Sequence, residues 1–351
     1  MTILRPPHDA AGGDVRGPGL PTVLPDPCGP ISEQLLGHLV RRPHELSPLP
    51  LGAETDPLHD DDAALALYLC YEQHYLGLPG VDEAWEWNPS LLQERQRLER
   101  AFEDQLVDLV GPVPIALSLE EVKQELTRLA TSGSGPSLSG FMEQSGTIDQ
   151  LREFAIHRSA YQLKEADPHT WGIPRLAGRA KAALVDIQQG EYGEGDVEEV
   201  HANLFAAVLQ ELGLDPSYGA YVNRLPALTL ATGNLVSMFG LHRRWRGALV
   251  GHLALFEMGS VEPMGRYAET VRRLGLGDRA ARFYDVHVLA DARHQVVALD
   301  EMVDGLVTDE PFLGGEVVFG ARALTAVEQL FAASLLDAWA EGRTALRRAA
   351  P

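Results

Sequence analysis

The chain has 351 residues, enough for one large domain or two ordinary ones, and 45% of them are hydrophobic, which suffices for a buried core. Its 50 acidic residues against 29 Lys and Arg give a formal net charge of −21, which repels phosphate backbones and anionic headgroups. Nucleic acid and membrane surfaces are thereby disfavoured as partners, and small molecules, cationic ones first, are expected instead.

Residues 1–56 are dense in Pro and Gly and read as a largely disordered tail with a short helix over 31–40. The N-terminus lacks the apolar run of a secretory signal, and no stretch reaches the ~18 apolar residues of a membrane span, so a cytoplasmic location is expected. The two cysteines, Cys28 and Cys70, form no C-x-x-C, which argues against zinc ribbons, redox dithiols and iron–sulfur clusters. Regular structure is predicted from Asp60, where three aspartates precede an apolar run that stops at Gly77 and Pro79. That pattern reads as helix capping in preference to a metal site. A long helix is predicted from Pro89 to Val110, and another opens at Ser118, where Ser118 and Glu121 form a capping box. The stretch TSGSGPSLSG, Thr131 to Gly140, reads as a linker between an N-terminal helical region (57–140) and the main domain (141–351). Beyond it the periodicity predicts helices over 148–166, 173–189, 197–212, 222–238, 245–258, 264–274, 278–306 and 320–346. Period-2 alternation of β-branched residues is nearly absent, so the fold class is all-α. The most basic stretch, Arg272 to Arg282, reads as a solvated helix end.

The segment FYDVHVLADARHQ carries the strongest chemical signal. His287, Asp291 and His294 stand at i, i+4 and i+7, within roughly 60° of one another on one helix face. Two imidazoles and a carboxylate form a partial shell for a metal such as iron or manganese. From this helix alone, ligation and a chance polar face both stay open. Glu257 lies in LVGHLALFEMGS among apolar neighbours, where a carboxylate needs a metal or an ion pair, for example with Arg244 or Arg246. Glu191 sits at a glycine-flanked helix end, His201 on the next apolar helix, and Glu165 closes the helix that contains Tyr161. His157, His169 and His252 rank as structural histidines, and Glu194, Glu198 and Glu199 as solvated. Helical bundles that hold two irons use inward-facing Glu, Asp and His from several helices. Their usual repeated Glu-x-x-His is missing here, as are H-E-x-x-H and a G-x-G-x-x-G after a strand, so ferritin-like, zincin and nicotinamide or flavin sites fit poorly.

From Asp60 to the C-terminus the sequence resembles the haem-oxygenase-like di-iron oxidases and oxygenases, in particular the group described as iron-containing redox enzymes. The resemblance runs through LYLCYEQHYLGLPGVDEAWEWNP, RGALVGHLALFEMGS, RYAETVRRLG and FYDVHVLADARHQ. It implies a haem-oxygenase-like helical bundle with additional N-terminal helices, holding two Fe ions and using O2 as co-substrate with an external reductant. Carried over residue by residue, the ligands match Glu165, Glu191, His201, His287, Asp291 and His294. Glu257 stands where the N-oxygenases of this group place an additional carboxylate. The resemblance assigns Glu191, His201 and His294 to one iron and His287 and Asp291 to the other, with Glu165 bridging. It implies oxidation of an amine or guanidine nitrogen of a small metabolite, as in natural-product biosynthesis. The alternative it implies is C–C fragmentation or desaturation of an amino acid or fatty acid. A helical scaffold or haem-binding module is the reading from a different class, and it would have no use for seven gathered ligands. Side chains of the 222–238 helix, Tyr161, Phe239 and Phe256 are expected to line the substrate pocket. A homodimer stays open.

Overall fold

A computed structural model of the chain describes residues 19–21, 23–131 and 137–347. Among these residues all regular structure is helical, as the sequence predicts. The helices are α1 (Pro30–Leu39), α2 (Asp61–Glu72), α3 (Pro89–Val110), α4 (Leu119–Thr131), α5 (Leu138–Ser145), α6 (Ile148–Gln162), α7 (Asp167–Thr170) and α8 (Gly178–Glu191). They continue with α9 (His201–Glu211), α10 (Ala227–Leu241), α11 (Arg246–Arg273), α12 (Asp278–Val296), α13 (Asp304–Asp309) and α14 (Gly314–Ala340). None is long and apolar enough to cross a membrane.

The helix starts are written in short polar side chains. Asp60 accepts from the backbone N–H of Asp62 and Ala63, Asn88 from those of Ser90 and Leu91, and Ser118 and Glu121 form the expected reciprocal box. The three aspartates divide the work. Asp61 receives the N–H of Ala227, whereas Asp62 reaches back to the N–H groups of Ile31 and Ser32 at 2.7 Å each and caps α1 from a distance.

That contact corrects the expectation of a disordered tail. Residues 1–18 lie outside the described residues, but Leu35, Leu39, Leu46 and Leu49 are buried. Composition alone underestimates the order of this segment because Asp62 supplies the polar partners that its own Pro- and Gly-rich residues lack. Half of the expected 131–140 linker, 132–136, also lies outside the described residues, and its end already belongs to α5.

Two apolar clusters organise the interior. One joins α1–α4 to α8, α10, α14 and the first half of α11, so the N-terminal helices cover the same core as the later ones. The other joins α5, α6, α9, α12 and the second half of α11. Where the periodicity predicts two helices, 245–258 and 264–274, the structure has a single α11, 28 residues long with Pro263 inside. Proline removes the bond to the Gly259 carbonyl, but packing along α12 and α14 holds the helix together. Gly251 and Gly320 bring α11 and α14 into backbone contact: a Cβ on Gly251 would lie 2.6 Å from the Val317 carbonyl carbon. Between α12 and α13 the helix widens into a π-helical stretch, Val297–Val303, which begins less than one turn beyond His294. Such stretches are frequent at functional sites.

Candidate metal centre

Five separate pieces of chain deliver the seven side chains. Glu165 lies in the turn between α6 and α7, beyond the helix end at Gln162 rather than within it. Glu191 is the last residue of α8, His201 the first of α9, and Glu257 lies inside α11. His287, Asp291 and His294 share the inner face of α12, each at most 3% exposed, whereas Leu289 on the opposite face is 77% exposed. The 3.6-residue pattern therefore resolves into one buried polar stripe.

All seven come together in two groups that share one residue. Ligand atoms of Glu165, Glu191, His201 and His287 lie within 4.8 Å of one another, as do those of Glu191, Glu257, Asp291 and His294. The grouping differs from the expected partition. Glu191 is common to both groups, His201 stands with His287, and His294 stands with Asp291 and Glu257. The reason is that the end of α8 meets α12 where Gly190 abuts the His294 ring, which places Glu191 between the His201–His287 pair and His294. His201 and His287 have ring centroids 4.2 Å apart.

The inner nitrogens of all three histidines lack hydrogen-bond partners: His201 Nδ1, His287 Nε2 and His294 Nδ1. His201 Nδ1 lies 2.7 Å from Glu191 Oε2 without hydrogen-bond alignment. His287 Nε2 is 3.5 Å from Glu165 Oε2, and His294 Nδ1 is 3.4 Å from Glu257 Oε2. Donors that share an ion at ~2.1 Å stand about 3–3.5 Å apart around it, so these spacings suit coordination. A void of about 20 Å³ lies among Glu165, Glu191, Glu257, His287 and Asp291. Buried nitrogens without partners are costly unless something fills that place.

The surrounding groups orient the donors. His287 Nδ1 donates to the Phe283 carbonyl at 2.7 Å, which turns Nε2 inward as the nitrogen that a metal would take in place of its proton. Ser260 donates to Asp291. Gln162, with its amide nitrogen turned towards Glu165, donates to both carboxylate oxygens at 2.7 and 3.0 Å. Glu257 has no arginine partner, because Arg244 pairs with Glu103 and Arg246 with Glu310. Burial, followed by the charge of Glu191, pushes the Glu257 carboxyl well above its ordinary value. Burial and Glu257 likewise raise Asp291 to about 8. At Glu191 burial acts upward, but His201 foremost outweighs it and holds the carboxyl at about 2; at His287 burial acts downward, but Glu165 foremost lifts the imidazole to about 10. Four buried carboxylates without a Lys or Arg among them form a charge that divalent cations neutralise.

The decoys stay out of both groups. His157 bonds to Thr229 at 2.7 Å, and His169 and His252 bond to each other at 3.1 Å. Glu194 and Glu198 are exposed. Sequence reasoning missed Gln162 and Ser260, each three residues from a ligand on the same chain. It also missed Gly190, where a Cβ would sit 2.8 Å from the His294 ring.

A cavity of about 340 Å³ reaches the centre at Gln162, Phe256, Ser260 and Phe283. Its walls come from α4, α5, α6, α9, α11, α12 and α14 and not from the expected 222–238 helix. Phe239 is packed instead against Trp245 and Phe319, and Tyr161 lies beside the carboxylates. Phe256 lines the cavity as expected.

Residues 152–329, just over half of the chain, match the family described as iron-containing redox enzyme. The chain belongs to this family. The match spans all seven side chains, so this iron-containing redox enzyme carries its clustered donors inside the region that defines the family. The chain is also similar to a solved structure from Nostoc punctiforme, a CADD-like protein of unknown function. That alignment has a TM-score of 0.43 and 15% identity over 66% of this chain and 93% of that one. No curated protein matches the chain.

Proposed function

We propose that the chain is a non-haem di-iron, O2-dependent N-oxygenase that oxidises an amine or guanidine-type nitrogen of a small metabolite. The observation that carries the reading is the double donor set on a shared Glu191, inside a chain of an iron-containing redox family. Glu165, Glu191, His201 and His287 would hold one ion, and Glu191, Glu257, Asp291 and His294 the other. Four carboxylates balance two Fe(II) ions, so the loaded centre carries no net charge in its apolar surroundings.

Bound iron supplies the electrons with which O2 is activated, and an external reductant restores them. The chain's own residues do the rest. The Phe283 carbonyl fixes the His287 tautomer, Ser260 and Gln162 hold the carboxylates of Asp291 and Glu165, and Phe256 and Phe283 keep bulk water from the cavity end of the site. Glu257 is the residue that favours nitrogen chemistry, by the resemblance to N-oxygenases that carry a carboxylate at that place.

Anaerobic Fe(II) titration is expected to reach two equivalents per chain, and an end point well below that removes the reading. Mass spectrometry of products from amines, guanidines and amino acids then tests the nitrogen chemistry. The apolar walls of the cavity favour a second reading, fragmentation or desaturation of an amino acid or fatty acid. An alkene or a shortened carbon chain in the same assay selects it.

A further inference from the structure

The cavity beside the centre differs in character from the acidic chain around it. Its described walls carry two charged side chains, Arg158 and Glu328, and these neutralise each other. The guanidinium donates to both Glu328 oxygens, at 2.8 and 2.6 Å, and lies 4.4 Å from the centre of the Phe331 ring. Such a fork-to-fork pair is already satisfied and offers little to an incoming charge. The polar groups nearest the centre are committed as well, Gln162 to Glu165 and Ser260 to Asp291, and Thr325 donates to the Ala321 carbonyl. Phe154, Phe205, Phe256, Tyr267 and Phe283 bring five aromatic rings to the walls. Tyr284, one helical turn before His287, is the exception: its buried hydroxyl has no hydrogen-bond partner among the described residues.

We propose that this cavity selects an aromatic amine that is uncharged at neutral pH and carries a hydrogen-bonding group for Tyr284 at a distance from the amine. The proposal rests on the nitrogen-oxidising reading of the same site. An alkylammonium resembling a lysine side chain, with a pKa near 10.4, is deprotonated in only about one molecule in 10³ at pH 7. A cavity without a free carboxylate gives it no counter-charge, so its protonated form is excluded. An aniline-type nitrogen is neutral at that pH, keeps the lone pair that N-oxidation requires, and brings a flat ring to aromatic walls. The overall acidity that favours cationic partners on the surface therefore does not extend to this cavity.

The test compares 4-aminobenzamide with 4-(aminomethyl)benzamide by anaerobic calorimetry on the Fe(II)-loaded protein. The arylamine is expected to bind at least about tenfold more tightly at pH 7. Affinity for the benzylic amine should rise by up to about tenfold per pH unit as its ammonium deprotonates, while the arylamine stays level. Tyr284→Phe should weaken 4-aminobenzamide about fivefold and leave p-toluidine, which lacks the amide, unchanged. Tighter binding of the benzylic amine at pH 7, no measurable binding of either compound, or a silent Tyr284→Phe overturns the proposal. The two readings fail separately. Binding of 4-aminobenzamide without any nitrogen-oxidised product removes the nitrogen chemistry and keeps the cavity assignment. Iron loading with turnover of aliphatic amines alone does the reverse.

Discussion

Gly190 lies so close to His294 that a Cβ would sit 2.8 Å from Cε1 and 2.9 Å from Nε2 of the imidazole. The glycine is part of how α8 presents Glu191 to α12, because the two elements meet at this point. Gly190→Ala should push the His294 ring away from Glu257 and Asp291. Iron content by elemental analysis is expected to fall from two equivalents towards one. Gly195 is the control, with φ of 86° and nothing within 4 Å of a would-be Cβ. Gly195→Ala should cost about 1 kcal/mol of stability and leave iron content unchanged. Equal iron loss in both variants would mean that the loop, and not the ring contact, matters.

Two buried histidines separate metal binding from packing. His294 Nδ1 has no partner and faces Glu257 and Asp291, whereas His252 is bonded to His169 and stacked on Phe256. His294→Ala is expected to reduce iron to one equivalent or fewer. His252→Ala should keep both equivalents and lower stability by about 1–3 kcal/mol. Iron titration and thermal unfolding of the two variants, side by side, decide this.

The sequence shows most plainly what lies on one element. His287, Asp291 and His294 are legible because a single helical period puts them on one face, and Glu257 because its neighbours on α11 are apolar. What depends on two elements meeting is not legible. The sharing of Glu191 arises only where the end of α8 meets α12, and the position of Glu165 outside its helix depends on where Lys164 is held. Order in the N-terminal segment depends on Asp62, some 30 residues away in sequence. The cavity walls come from seven helices, so no single stretch announces them. Pro263 is the opposite case, a true local signal for a helix break that packing on both sides overrides.

His157 gives the fold a defined acid response. It is buried against Thr229, and burial foremost, followed by the charge of Arg158, lowers its imidazole to about 3. In the unfolded chain its pKa returns to about 6.5, so between these values the unfolded state holds a proton that the folded state lacks. Its contribution is therefore fully present above about pH 6.5 and is lost progressively as pH falls towards 3. The loss approaches about 1.4 kcal/mol per pH unit inside that window. Urea unfolding from pH 4 to 7 should show this slope in the wild type and a shallower one in His157→Gln, both measured metal-free. Parallel slopes would assign the acid response to other groups.

The Glu165 turn is tied to the N-terminal layer by a buried ion pair. Lys164, next to Glu165, pairs with Glu72 on α2, and the Tyr218 hydroxyl donates to the other Glu72 oxygen at 2.7 Å. The ammonium also lies 4.2 Å from the centre of the Tyr75 ring. Both partners are almost wholly enclosed, so removing one charge strands the other. Glu72→Gln should cost about 3–5 kcal/mol, whereas replacing both, with Glu72→Gln and Lys164→Met, should recover much of that loss. Because the pair with Glu72 holds Lys164 and so the turn, the single and the double variant should both hold less iron. Regained iron in the double variant would mean that the pair only permits the fold. Urea unfolding and iron analysis of the same preparations test the two halves together. If stability recovers in the double variant while iron does not, the charge pair itself positions Glu165, beyond merely permitting the fold.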